Sequence, residues 1–265
     1  MPRVRVAKAH AYGNDFLCVP AVDASADLPG LARAVCHRHH GIGADGLILY
    51  TLGDRGASMT LLNADGSSSE LSGNGLRCLA ALAARAQGLQ LGATVTVDTA
   101  AGVKALELLA REGERFTFRA AMGPPAHLRR TTIPVPGETV TASILQVGNP
   151  QCVVLGQLPD EDRFNRLGPA LATHQMFPEG TNVEFAHVEA PGRVRILIWE
   201  RGVGPTSSSG TGSAAAAVAA AAHGGASRDV NVVAPGGTQR VEWLNEGIYL
   251  TGWAEVVLEG YAYVP

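Results

Sequence analysis

Residues 72–86 read SGNGLRCLAALAARA, and residues 209–223 read SGTGSAAAAVAAAAH. Each stretch is Ser-Gly-polar-Gly followed by an alanine-rich run of helical character. The second begins 137 positions after the first (72 to 209), about half of the 265-residue chain. An echo at that distance predicts two similar halves, each with one glycine loop opening a helix. The competing reading is coincidence in a chain with 32 glycines. The expected division is residues 1–121, completed by a last strand at about 254–265, and residues 122–253. The boundary falls at the turn-rich Met122-Gly123-Pro124-Pro125.

Outward from the two loops, short alternating or β-branched runs read as strands. They are Val4–Lys8, Ala93–Asp98, Phe116–Arg119, Thr139–Gln146, Cys152–Leu155, Asn182–His187, Val194–Trp199, Val230–Val233, Thr238–Trp243, Ile248–Leu250 and a final strand near Ala254–Tyr263. Helical patterns are fewer: Leu28–His39, Gly75–Ala86, Arg163–Thr173 and Ser213–His223. Strands and helices do not alternate regularly, so the expected class is α+β and not a doubly wound parallel sheet.

Composition narrows the function classes. Hydrophobic residues make up 46% and charged residues 17%, enough for a real core. The net charge of −3 gives no electrostatic reason to expect nucleic acid or an anionic membrane as a partner. The N-terminal MPRVRVAKAHAYGNDF lacks a signal-peptide apolar run, and no window is long and apolar enough for a membrane span. Cys18, Cys36, Cys78 and Cys152 are scattered, with no CxxC and no metal spacing. That pattern fits reduced thiols in a cytoplasm, no metal and no disulfide framework.

A helix N-terminus presents unpaired N–H groups and a partial positive charge, so it suits an anion. Small residues let the ligand approach the backbone. The two loops lack GxxxxGK[ST] and a Rossmann GxGxxG with its distant acid, so a nucleotide is not expected. Two such helix ends could instead grip one carboxylate. Polar turns surround them at Gly13-Asn14-Asp15, Asn63-Ala64-Asp65-Gly66, Gly148-Asn149-Pro150 and Thr181-Asn182. Asparagines in such places are turn residues as readily as ligand contacts. Glu200-Arg201 ends an apolar strand and runs into the second glycine loop. There, Arg201 is suited to bidentate carboxylate binding or to a strand-end ion pair.

Six pieces in order resemble the diaminopimelate epimerase family: HAYGNDF (10–16), RHHGIGADGLIL (38–49), NADGSSSELSGNGLRC (63–78), VGNPQCV (147–153), residues 182–185 and ERGVGPTSSSGTG (200–212). The resemblance implies two pseudo-symmetric halves, each a mixed or antiparallel sheet wrapped around a central helix, with the active site in a cleft. It implies a racemase or epimerase of an amino acid that uses no pyridoxal phosphate, metal or nucleotide. The expected partner is a small amino acid, with a homodimer as a further expectation.

The family's reaction removes an α-proton and returns one to the opposite face, which needs a base and an acid on the two sides of the carbon. Family members use a cysteine at the head of each glycine loop. This chain has Ser72 and Ser209 there, and Cys78 belongs to the helix. A hydroxyl is a poorer base than a thiol unless a neighbour takes its proton. Gln151 stands where a histidine usually follows GNP, and Pro205 where a glutamate usually precedes the threonine. Matched residue by residue, Asn14, Asn63, Asn149, Asn182, Glu200 and Arg201 occupy binding positions. By the same match, Gly73, Asn74, Gly210 and Thr211 hold the reacting end. Three functions fit this pattern: an epimerase of LL-diaminopimelate, an isomerase or dehydratase of another amino acid such as a hydroxyproline, and a non-catalytic amino-acid binder.

Overall fold

A computed structural model describes residues 3–54 and 56–264. Two compact units divide the chain: Met1–Ala120 with Gly252–Pro265, and Ala121–Thr251. The strands and helices of the described residues follow one order twice.

In the first unit, β1 (Arg3–Ala11) and β2 (Asn14–Pro20) form a hairpin. Then come α1 (Leu28–Cys36), β3 (Gly46–Leu52), β4 (Gly56–Asn63), the two-residue β5 (Ser68–Ser69) and α2 (Gly73–Ala86). The strands β6 (Thr94–Thr99), β7 (Gly102–Glu112) and β8 (Arg115–Gly123) follow. β2 runs parallel to β3, β3 antiparallel to β4, β4 parallel to β6, and β6 antiparallel to β7.

The second unit adds β9 (Ala126–Val135), then starts again with the hairpin β10 (Glu138–Val147) and β11 (Asn149–Leu155). α3 (Glu161–Ala172), β12 (Asn182–Ala190), β13 (Arg193–Glu200), the short β14 (Gly204–Thr206), α4 (Gly210–His223), β15 (Asp229–Ala234), β16 (Gly237–Leu244) and β17 (Gly247–Tyr263) complete it. The pairing repeats too: β11 parallel to β12, β12 antiparallel to β13, β13 parallel to β15, and β15 antiparallel to β16. The expected α+β class with two similar halves and mixed sheets is what the topology shows. β17 serves both units: Gly247–Thr251 pairs with β16, and residues 255–263 pair with β1.

Each unit has one helix at its centre. α2 is buried from Asn74 through Ala84, and α4 from Gly212 through Ala220, with Gly210 buried ahead of it. A helix surrounded by strands must be apolar all round. Alanine lets the strands approach closely, and the Ala-rich sequences meet that need. α2 packs with Phe16, Ile48, Leu106, Leu108, Phe116 and Phe118, while α4 packs with Leu145, Ile196, Ile198 and Val241 among others.

The helix bounds differ from expectation at their ends. α2 and α4 begin at Gly73 and Gly210, earlier than expected, because Ser72 and Ser209 cap them. α1 stops at Cys36, short of His39. His37 is extended, and its Nδ1 accepts the backbone N–H groups of His39 (3.1 Å) and His40 (3.0 Å). The side chain has taken donors that a longer helix would have used.

Candidate functional site

In the first unit the site residues gather at the start of α2. Ser72 is extended (φ −126°, ψ 123°), and its Oγ accepts the N–H of Gly75 at 3.1 Å. This is an N-cap, which satisfies one orphan donor of the first turn. Gly75 packs against the strands: a Cβ there would lie 3.3 Å from both Ile48 Cδ1 and Phe16 Cε1. Asn74 is buried, and its Nδ2 donates to Asn14 Oδ1 at 3.1 Å.

Asn14 is delivered by the β1–β2 hairpin. Ala11 pairs with Asn14, so only Tyr12 and Gly13 form the turn, and both have positive φ (56° and 88°). That is the two-residue turn whose twist matches a hairpin. Tyr12 tolerates its φ because its ring packs on Trp253, with centroids 4.4 Å apart, and its hydroxyl accepts the Trp253 N–H. Asn14 Nδ2 donates to Asp45 Oδ2 at 2.7 Å. Asp45 also accepts from Arg38 Nη2 (2.7 Å), and Arg38 and Lys8 both reach Asp15 at 2.9 Å. Burial works against the Asp15 charge, but the bonds from Arg38 and Lys8 outweigh it and hold the carboxyl below its usual range.

Asn63 behaves differently from Asn14 and Asn74. It ends β4, is exposed, and gives its Nδ2 to Ser67 Oγ at 2.9 Å. Its recorded bond is local to a turn, and the structure does not join it to the Asn14–Asn74 pair.

In the second unit the same construction surrounds the start of α4. Ser209 is extended (φ −139°, ψ 129°), and its Oγ accepts the N–H of Gly212 at 3.1 Å. Gln151 of β11 sits opposite Asn182 of β12, fully buried. Its carboxamide turns so that nitrogen faces a carboxylate and oxygen faces donors. Nε2 then donates to Glu184 Oε1 (2.9 Å) and Oε2 (3.2 Å), while Oε1 accepts from Thr211 Oγ1 (3.2 Å) and Asn182 Nδ2 (3.3 Å). The Asn149 side chain abuts the same carboxamide. Asn149, Asn182 and Thr211 are thus brought together around Gln151.

Glu184 is wholly buried beside this cluster, and burial, reinforced by the nearby charge of Glu200, pushes its carboxyl well above the ordinary range. Asn182 Oδ1 accepts the backbone N–H of Arg201 at 2.9 Å, which fixes the Glu200–Arg201 strand end. The exposed Arg201 lays its methylene stem beside Gly180 and donates Nη1 to the Glu179 carbonyl at 2.7 Å. One expected carboxylate-binding nitrogen therefore has a backbone partner.

Sequence reasoning passed over Arg38, Asp45, Arg77 and Glu184. The signals were weak but physical. Arg77 is a charged residue within the buried stretch of α2, and Glu184 is an acid between the buried Val183 and Phe185. Cys78 is wholly buried, and burial raises its thiol well above the usual value. It carries no exposed thiolate, in keeping with its place in the helix. Among the described residues no group of three His, Cys, Asp or Glu side chains is arranged to hold a metal ion.

Solved structures share the fold. The chain shares its fold with a hydroxyproline epimerase from Agrobacterium vitis (TM-score 0.72, 16% identity, 99% of this chain and 91% of that chain). It shares it equally with a probable proline racemase from Agrobacterium radiobacter K84 (TM-score 0.74, 18% identity, 99% and 93%). The fold is thus the one on which such racemases and epimerases are built.

The sequence matches narrow this further. The diaminopimelate epimerase family model matches residues 6–128 and 143–257. A diaminopimelate epimerase of Desulforudis audaxviator is 43% identical over 96% of this chain and 97% of its own length. The diaminopimelate epimerase of Desulfitobacterium hafniense is 37% identical over 97% of each. The chain belongs to the diaminopimelate epimerase family.

Proposed function

We propose that this chain epimerises LL-diaminopimelate to meso-diaminopimelate, a step toward lysine, by moving a proton off one face of the α-carbon and onto the other. The observation that carries this reading is family membership along nearly the whole chain, together with the paired capped helices at Ser72 and Ser209. Ser72 and Ser209 are the proton-handling positions. Gly73, Asn74, Gly210 and Thr211 hold the reacting amino-acid end, where helix N-termini favour its carboxylate and the charge that develops as the proton leaves. Asn14, Asn63, Asn149, Asn182, Glu200 and Arg201 hold the rest of the substrate. Hydroxyls in place of thiols make the proton steps slow.

The four cysteines are buried free thiols, which suits a cytoplasmic enzyme; among the described residues no helix is long and apolar enough to cross a membrane. Val257, Leu258, Tyr261 and Tyr263 are exposed along the end of β17, which suits a homodimer. Sedimentation equilibrium measures the latter.

The test of function is incubation of LL-diaminopimelate in D₂O. Deuterium at the α-carbon with appearance of the meso isomer supports the proposal. Calorimetric binding without exchange would make the chain an amino-acid binder. Water loss or exchange only from a hydroxyproline would assign it to a different substrate.

A further inference from the structure

Arg77 lies one turn into α2 and is 1% exposed. Burial works against its charge, and the groups acting on it electrostatically are Tyr12 and Cys78, with no carboxylate among them. Its Nε has no hydrogen-bond partner, and its Nη2 donates to Asn74 Oδ1. A buried guanidinium held without an acid is costly, so its retention calls for a purpose.

The purpose lies in the direction of the bonds that follow. Arg77 can only donate, and the carboxylate of Asp45 can only accept. Between them stand two carboxamides, each able to do both. Nη2 of Arg77 donates to Asn74 Oδ1, Asn74 Nδ2 to Asn14 Oδ1, and Asn14 Nδ2 to Asp45 Oδ2. Every link points the same way. Turning either carboxamide over would set an oxygen against an oxygen and a nitrogen against a nitrogen, which is most expensive at the buried Asn74. Asp45 is itself pinned by the Asp15 N–H (3.0 Å) and Arg38 (2.7 Å).

We propose that Arg77 is a positioning residue that fixes the orientation of the Asn74 and Asn14 carboxamides, so that Asn14 keeps an N–H, and not a carbonyl, to offer an anionic group of the substrate. This rests on the assignment of Asn14 and Asn74 to substrate binding. Arg77 touches no substrate in this scheme. It acts through Asn74.

The test has a ligand-dependent and a ligand-independent arm. In the first, meso-diaminopimelate is titrated calorimetrically into wild type, Arg77→Met and Arg77→Lys. Removing the donor is expected to weaken binding about tenfold, with Lys recovering most of the loss. In the second, side-chain amide NMR of the ligand-free wild type is recorded. The Nδ2 proton that Asn74 donates to Asn14 should exchange with solvent about tenfold more slowly than that of an exposed carboxamide, and this protection should be lost in Arg77→Met. Folded Arg77→Met with wild-type affinity overturns the proposal, as does exchange of the Asn74 Nδ2 protons at the exposed rate in wild type. If Arg77→Met does not fold, the wild-type spectrum decides. If wild type fails to bind meso-diaminopimelate, the substrate assignment falls while the spectra still judge the relay.

Discussion

Glu184 Oε1 lies so close to Gly212 that a Cβ on that glycine would stand 2.6 Å from it. Ser209 Oγ would lie 3.1 Å from the same Cβ. The buried acid and the capping Ser209 thus crowd one point at the head of α4. Nothing larger than glycine fits there without moving one of them.

Gly212→Ala is therefore expected to destabilise the protein by about 1–3 kcal/mol, the range for overpacking a closed site. The neighbour that must shift is a wholly buried carboxyl held by Gln151, not the free end of a flexible chain. Urea denaturation measures the loss. Gly88→Ala provides contrast, because a Cβ there meets nothing within 4 Å and only its positive φ of 61° is strained. An Ala at 212 as well tolerated as one at 88 would show that Glu184 is not fixed.

Glu184 also predicts a pH dependence. Its carboxyl holds its proton more tightly when folded than at the ordinary 4.5. An acid raised in this way contributes stability that is fully present below about pH 4.5 and lost as pH climbs toward the folded value. Glu200 and the buried Cys152 thiol are the other titratable groups facing it. Glu184→Gln keeps the shape and removes the titration. Its stability relative to wild type should rise as pH climbs above about 4.5 in denaturant titrations. A difference that stays flat over that range would mean Glu184 is already ionised in the folded protein.

Glu138 works in the opposite direction. Bonds from Arg163 and Arg166 hold its carboxyl down at about 2. A lowered acid stabilises above its unfolded value of about 4.5, and that contribution disappears as pH falls through about 2. The cluster is open to solvent, so its worth is about 1 kcal/mol or less and salt weakens it. Glu138→Gln should lower the denaturation midpoint slightly at pH 7 and leave it unchanged at pH 2.

How much of this was legible beforehand depended on where each residue's partners lie in the chain. The glycine loops were readable because capping and close packing are local: Ser72 bonds three residues ahead, and Ser209 does the same. Alternating strands such as Val194–Trp199 also announced themselves. β2 and β3 did not, because residues such as Phe16–Val19 and Leu47–Leu49 are buried on both faces and alternate in nothing. β9 was hidden by Arg129, Arg130 and Pro134, which suit an exposed strand. The relay from Arg77 to Asp45 was illegible because its members are brought together from three separate segments: α2, the start of β2 and the loop before β3. Glu184 reads as one more strand residue until Gln151, 33 positions earlier, is seen opposite Asn182.

The cysteines offer a chemical check on the proton-handling assignment. Burial pushes the Cys18 and Cys36 thiols up to about 12 and also raises Cys78 and Cys152 above the usual value. Thiolate is the reactive form, so none of the four should react with a disulfide reagent in the native protein, and all four should in denaturant. A native thiol that reacts within seconds would identify an unrecognised base and displace the serines from that role.

Changing Ser72 and Ser209 to cysteine tests the serines directly. Each serine already has a structural task as a helix cap, so Ser→Ala at either position should cost about 1 kcal/mol of stability. Cysteine accepts a hydrogen bond weakly and should cost a similar amount. Its chemistry changes far more. A thiol begins near pKa ~8.5 and falls further at a helix N-terminus, which brings it close to neutral pH where general acid–base catalysis is most effective. The double variant Ser72→Cys/Ser209→Cys should incorporate α-deuterium from D₂O at least ~10²-fold faster than wild type. The single variants separate the two roles. With one base on each face, each single cysteine should speed deuterium entry into one stereoisomer only, and the two variants should favour opposite ones. If the double variant binds meso-diaminopimelate yet exchanges no faster than wild type, the missing thiols are not what limits the reaction, and Gln151 and Pro205 become the positions to change next.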